Sequence, residues 1–176
     1  MNILKNLKKA SKRGFTMIEL MLVIVIGVGL SAFVIPRFSD TKKMNEAREE
    51  AQKLSELKAR IESTFDFESD FSDLASMTHD IAPSTFEQGS GSNLKSIWKR
   101  NVSVSGGMEE YDILYSEVPP NSVCAEFVKN TKRQMWKTIT VGSTALVYNS
   151  KPKDITDACS STDDTIGKNI EFHYEP

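Results

Sequence analysis

The sequence predicts an α+β protein: one long N-terminal helix, transmembrane in its first half and amphipathic in its second, followed by a mixed region of short helices and strands. Three observations carry this. Residues 15–35 form an apolar run directly after a basic cluster. Met44, Ala47, Ala51, Leu54, Leu57, Ile61 and Phe65 then recur at steps of three and four. From residue 66 onward the pattern breaks into short alternating segments bounded by turn residues. With 176 residues, 39% hydrophobic and 26% charged, the chain has the composition of one globular domain carrying one special N-terminal segment.

The apolar run spans 21 residues, about 31 Å as a helix, which is long enough for a bilayer core. Lys5, Lys8, Lys9, Lys12 and Arg13 precede it with no acid among them, so the positive-inside rule places residues 1–14 in the cytoplasm and the rest outside. Beyond residue 14 the chain is net acidic, which argues against a nucleic-acid binder. One residue breaks the run. Glu19 is its only charge, at a cost of roughly 2.5–3.5 kcal/mol at mid-bilayer. Either the stretch is not a membrane segment, or the carboxylate does something that offsets its cost.

Pro36 closes the run, and the amphipathic stripe follows, with Lys43, Glu46, Arg48, Glu49, Lys53, Glu56 and Lys58 on the charged positions between. Together they predict one helix over about 15–65. The remainder predicts short helices over 71–77, 93–99 and 122–131. Strands are predicted over 102–105, 111–118, 137–141, 145–149 and 169–174, with a polar, turn-rich segment over 150–168. Cys124 and Cys159 are the only cysteines. Export would make them a disulfide contributing roughly 3–4 kcal/mol, whereas a cytosolic chain would keep two thiols.

Two general readings fit the N-terminus. It describes a secretory signal peptide, with a possible cut after Ser31, or a plain single-span anchor. Neither gives Glu19 a role. The pentapeptide Gly14-Phe15-Thr16-Met17-Ile18 followed by Glu19 is more specific, and resembles the processing site of type IV prepilins. The resemblance implies a leader peptide at 1–14, a hydrophobic transmembrane and assembly helix at 15–36, its amphipathic continuation at 37–65, and a globular α+β head at 66–176. This is the pilin fold, with the helix packed on an antiparallel β-sheet.

The same resemblance implies cleavage between Gly14 and Phe15 by a prepilin peptidase, and N-methylation of the new amine at Phe15. Glu19, fifth in the mature chain, would pair with the Phe15 amine of a neighbouring subunit, since a paired charge in a low dielectric is far cheaper than a lone one. Gly27, Gly29 and Ser31 weaken the helix, and the resemblance implies that 29–36, between Gly29 and Pro36, unwinds in the filament but not in the membrane-bound subunit. It also implies a Cys124–Cys159 disulfide bounding the C-terminal region.

Trp98, Val102-Ser103-Val104, Tyr111-Asp112-Ile113-Leu114-Tyr115, Val118-Pro119 and Cys124 together look like the type IVb pilins of the PilS kind, although Lys99-Arg100 replaces the glycines usual after the tryptophan. That likeness implies the major subunit of a conjugative or adhesive pilus. Its partners would be other copies of itself, the prepilin peptidase, an assembly platform, minor pilins and the inner membrane, with an extracellular location after assembly.

Nothing in the sequence points to an enzyme, a cofactor or a metal. His79 and His173 are distant and read as surface or packing residues. Asp154, Asp157, Asp163 and Asp164 read as a solvated loop rather than a calcium site, and Asn101-Val102-Ser103 is a formal glycosylation sequon. The competing readings are a minor pilin or type II secretion pseudopilin, and, from another class, a membrane-anchored periplasmic binding or enzymatic domain.

Overall fold

The computed structural model describes residues 16–66, 70–163 and 165–176, and within 30–39 it describes the helical backbone alone. The chain divides into two compact units, the first ending at Asp40 and the second spanning Thr41–Pro176. Helix α1 runs over Met17–Thr64, and its backbone is helical through Gly27, Gly29 and Pro36.

In the second unit the predicted stripe is the packed face. Ala47, Ala51, Leu54, Leu57, Ile61 and Phe65 are buried, and Met44 is half-buried. The solvent side is laced by ion pairs one turn apart, Lys42–Glu46, Lys53–Glu49 and Arg60–Glu56, each adding a few tenths of a kcal/mol at most. The elements that follow are α2 (Leu74–Ile81), β1 (Glu87–Gln88), β2 (Leu94–Lys95), β3 (Asn101–Gly106) and β4 (Tyr111–Val118). After them come α3 (Ser122–Thr131), a 3-10 turn (Lys132–Gln134), β5 (Thr138–Val141), β6 (Thr144–Leu146), α4 (Pro152–Cys159) and β7 (Lys168–Tyr174).

All strand pairings are antiparallel, in the order β1-β2-β3-β4-β7-β5-β6. The last strand is thus an inner one: Ile113 and Ile139 both pair with Phe172. Burial alternates along each long strand. Val102 and Val104, Tyr111, Ile113 and Tyr115, Ile139 and Val141, and Ile170 and Phe172 are buried, while the residues between them are not. One face of the sheet is therefore covered and the other meets water, the usual division for an antiparallel sheet.

The covered face is held by aromatic contacts: Tyr115 with Phe127, Phe127 with Phe172, Phe172 with Trp136 and Trp136 with Tyr111, at centroid separations of 5.0–6.2 Å. At the end of β3, Gly106 lies so close to the Phe71 carbonyl that a Cβ would sit 2.0 Å from its oxygen, so only glycine fits.

Three sequence expectations change. Residues 93–99 are not a helix. Leu94–Lys95 is a strand pairing with β3, and a turn carrying Lys99 at φ 60° follows. The strand expected over 145–149 is Thr144–Leu146 and ends in a turn in which the Val147 amide donates to Ser150 Oγ. The turn-rich 150–168 contains α4, started by Pro152 at its first position and by Asp154, whose carboxylate accepts the Lys151 N–H at 2.8 Å.

Candidate processing and assembly site

The described part of the first unit begins with a compact hydrogen-bonded group. Glu19 Oε2 accepts the Thr16 backbone N–H at 3.0 Å and the Thr16 hydroxyl at 3.1 Å, and the Glu19 N–H donates to Thr16 Oγ1 at 3.3 Å. This is a capping box: the threonine closes the helix start, and the glutamate three residues on reaches back to it. Its negative charge also faces the positive end of the helix dipole. The carboxylate is thereby held in the first turn of α1, four residues after Phe15, where the sequence predicts a new amine. Gly14 and Phe15 themselves lie outside the described residues.

Behind this box residues 17–28 have no packed face. Met17, Ile18, Leu20, Met21, Leu22, Val23, Ile24, Val25, Ile26 and Val28 are each at least 52% exposed, so apolar side chains point outward on every side. A Cβ on Gly27 or Gly29 would meet nothing within 4 Å. A helix of this kind requires an apolar environment from outside the subunit. Among the described residues no helix is long and apolar enough to cross a membrane. The span expected over 15–35 and the Pro36 side chain lie partly or wholly outside those residues.

In the second unit Cys124 and Cys159 form a disulfide between the start of α3 and the end of α4, with Cα atoms 5.6 Å apart and both residues fully buried. The two histidines are not brought together. His79 Nε2 meets the Asn93 carbonyl at 3.0 Å, and His173 Nδ1 meets Asp112 at 2.7 Å. Asp154 is engaged at the start of α4, Asp163 accepts from the Thr165 amide, and Asp164 lies outside the described residues. Among the described residues no group of His, Cys, Asp and Glu is arranged to hold a metal.

The family of prokaryotic N-terminal methylation motifs matches residues 9–34, which covers the segment around Thr16 and Glu19. The family described as PilS N terminal matches residues 42–170, well over half of the chain. The chain belongs to the PilS family. It is a pilin precursor of the PilS kind: the family implies a pilus subunit that assembles as a homopolymer, and the leader motif marks a membrane-anchored precursor, processing by a prepilin peptidase and an extracellular pilus. Among solved structures, the PilS-family chain is similar in fold to a type IVb pilin from Salmonella typhi. The TM-score is 0.57 at 14% identity, over 73% of this chain and 99% of that one. No curated protein matches it. Pilins of this family and fold are structural subunits.

Sequence reasoning passed over three features of this PilS-family chain. The capping box was legible as Thr-x-x-Glu ahead of an apolar run. Glu50 carried no such sign: it stands among charged residues yet is fully buried. Its Oε2 accepts the Ile97 N–H at 2.9 Å and lies 3.8 Å from Lys53 Nζ, while Oε1 and the nearby Tyr115 hydroxyl make no bond within hydrogen-bonding geometry. Burial pushes the Glu50 carboxyl above the usual carboxylate range, against the pull of Ile97 and Lys53. Burial and the Glu50 charge push the Tyr115 hydroxyl up.

Lys58 also reads as a solvated position and is not one. It is nearly buried, with Nζ 4.3 Å from the Tyr174 ring centroid and 5.3 Å from that of Trp136, and it is paired with Glu62.

Proposed function

We propose that this pilin is the major subunit of a type IVb pilus serving conjugation or adhesion, and that Phe15 and Glu19 carry its assembly. The single observation behind this reading is a carboxylate fixed by Thr16 at the head of a helix whose first apolar side chains, from Met17 to Val28, are exposed. Cleavage between Gly14 and Phe15 leaves an amine, which is methylated. Before assembly the helix at 15–36 anchors the subunit once in the inner membrane, with residues 1–14 cytoplasmic and the C-terminus periplasmic.

On entering the filament, Glu19 exchanges part of its bonding to Thr16 for the Phe15 amine of a neighbouring copy, and the helices replace lipid for one another. An ion pair in so low a dielectric gives a strong preference for the register in which both charges are matched. The backbone of 29–36 unwinds there, where Gly29 and Pro36 weaken the helix. The peptidase, an assembly platform and minor pilins act on this same N-terminal segment. N-terminal analysis of the mature protein tests the reading: methylated Phe15 is expected, and Met1 or Ala32 would overturn it.

A further inference from the structure

At the junction of β4 and α3, Asn121 adopts φ 60° and ψ −123°, a conformation that suits glycine and strains an L side chain. Its side chain accounts for the choice. The Asn121 N–H donates to the Cys159 carbonyl at 2.8 Å, Oδ1 accepts the Ser161 N–H at 3.0 Å, and Nδ2 donates to the Ser161 carbonyl at 3.4 Å. A glycine would keep the first bond and lose the other two. These bonds tie the start of α3 to the end of α4 across the same gap that the disulfide spans, three residues before Cys124 and on both sides of Ser160. The 35-residue separation between the cysteines is therefore closed twice, once covalently and once by Asn121.

We infer that Asn121 is a positioning residue for the disulfide: in the reduced chain it holds Cys159 opposite Cys124, so that oxidation closes a ring already in place. This stands apart from the assembly role of Phe15 and Glu19. With a disulfide-bearing oxidant such as oxidised glutathione, one cysteine thiolate attacks the oxidant's disulfide, forms a mixed disulfide and releases one glutathione thiolate. The second cysteine thiolate then attacks the protein sulfur of that mixed disulfide. The Cys124–Cys159 bond forms and the second glutathione leaves. Two electrons pass from the cysteines to the oxidant, and the two cysteine protons end on the released glutathiones. Asn121 acts on the second, intramolecular step, whose rate depends on how often the two sulfurs meet.

The test uses the full-length chain in detergent micelles, equilibrated in glutathione buffers, with thiols trapped by alkylation and counted by mass. For Asn121→Gly, the effective concentration of the cysteine pair is expected to fall about tenfold on loss of two hydrogen bonds. Closure of the mixed disulfide should slow in proportion, while formation of the mixed disulfide stays unchanged. Asn121→Asp, which keeps the acceptor for Ser161, is expected to lose less. Asn130→Ala breaks a side-chain bond to the Glu126 carbonyl in the same helix and should leave both quantities unchanged.

Ser161→Pro removes the N–H that Oδ1 accepts but keeps the carbonyl, and should reproduce part of the loss, which keeps a test in hand if Asn121→Gly does not fold. Native equilibrium and closure rate in Asn121→Gly or Ser161→Pro would overturn the inference. So would an equal shift in Asn130→Ala.

Discussion

Glu19 and Glu50 lie on one helix and exchange the surroundings that their sequences suggest. Glu19 stands in a run with no other charge, yet in the subunit it is exposed and bonded to Thr16. Glu50 stands among Arg48, Glu49 and Lys53, yet it is fully buried against the Ile97 amide. The difference teaches that an apolar sequence becomes an apolar environment only where something covers it. Residues 44–65 find that cover inside their own unit, whereas residues 17–28 find none there.

The comparison can be broken from either side. The largest effect is expected from Glu19→Ala: filaments recovered by shearing should fall to background while leader cleavage, followed by the mass of the membrane-bound protein, continues. Abundant filaments would mean that the charge has no role in assembly. Next come paired truncations along the helix. Leu57→Ala removes a fully buried side chain and should destabilise the head by about 2–5 kcal/mol, read by denaturant unfolding through the buried Trp136. Leu22→Ala, at an exposed position, should leave that transition where it is.

Thr16→Ala opens the capping box and should cost about 0.5–2 kcal/mol of local helix stability, seen as faster amide exchange in the first turn of α1 with the head unaffected. The smallest change is Glu50→Gln. Because burial raises the Glu50 pKa in the folded state, the stability tied to its neutral form is complete below its unfolded pKa and is lost as pH rises through the folded value. The head of the native chain should weaken over that interval, and Glu50→Gln, which keeps an acceptor for Ile97, should flatten the dependence.

What the sequence made legible was whatever one element determines alone. The three-and-four spacing of Ala47 to Phe65, the alternation in Tyr111-Asp112-Ile113-Leu114-Tyr115, and the Gly14-to-Glu19 motif all appear as local patterns, and the fold class and family follow from them. Residues 93–99 misled because Leu94, Ile97 and Trp98 are spaced as on a helix. What decides their conformation lies elsewhere in the chain: the pairing of Leu94 with Val102, and a carboxylate 47 residues upstream that captures the Ile97 amide. Helix α4 was legible in Pro152, Asp154 and the Ile155, Ala158, Cys159 spacing, but its polar flanks outweighed a stripe of three residues. Asn121 offered no local sign, because its partners are Cys159 and Ser161.

The position of β7 has a consequence for the timing of folding. Residues 168–174 follow β1–β6 in the chain, yet they join β4 to β5. Until they arrive, β1–β4 and β5–β6 are two partial sheets, each with an open edge. A chain stopped before Lys168 lacks the seam of the head rather than a border strand. The sheet closes only once Lys168–Tyr174 has been made, so β1–β6, though earlier in the chain, wait on the strand between them.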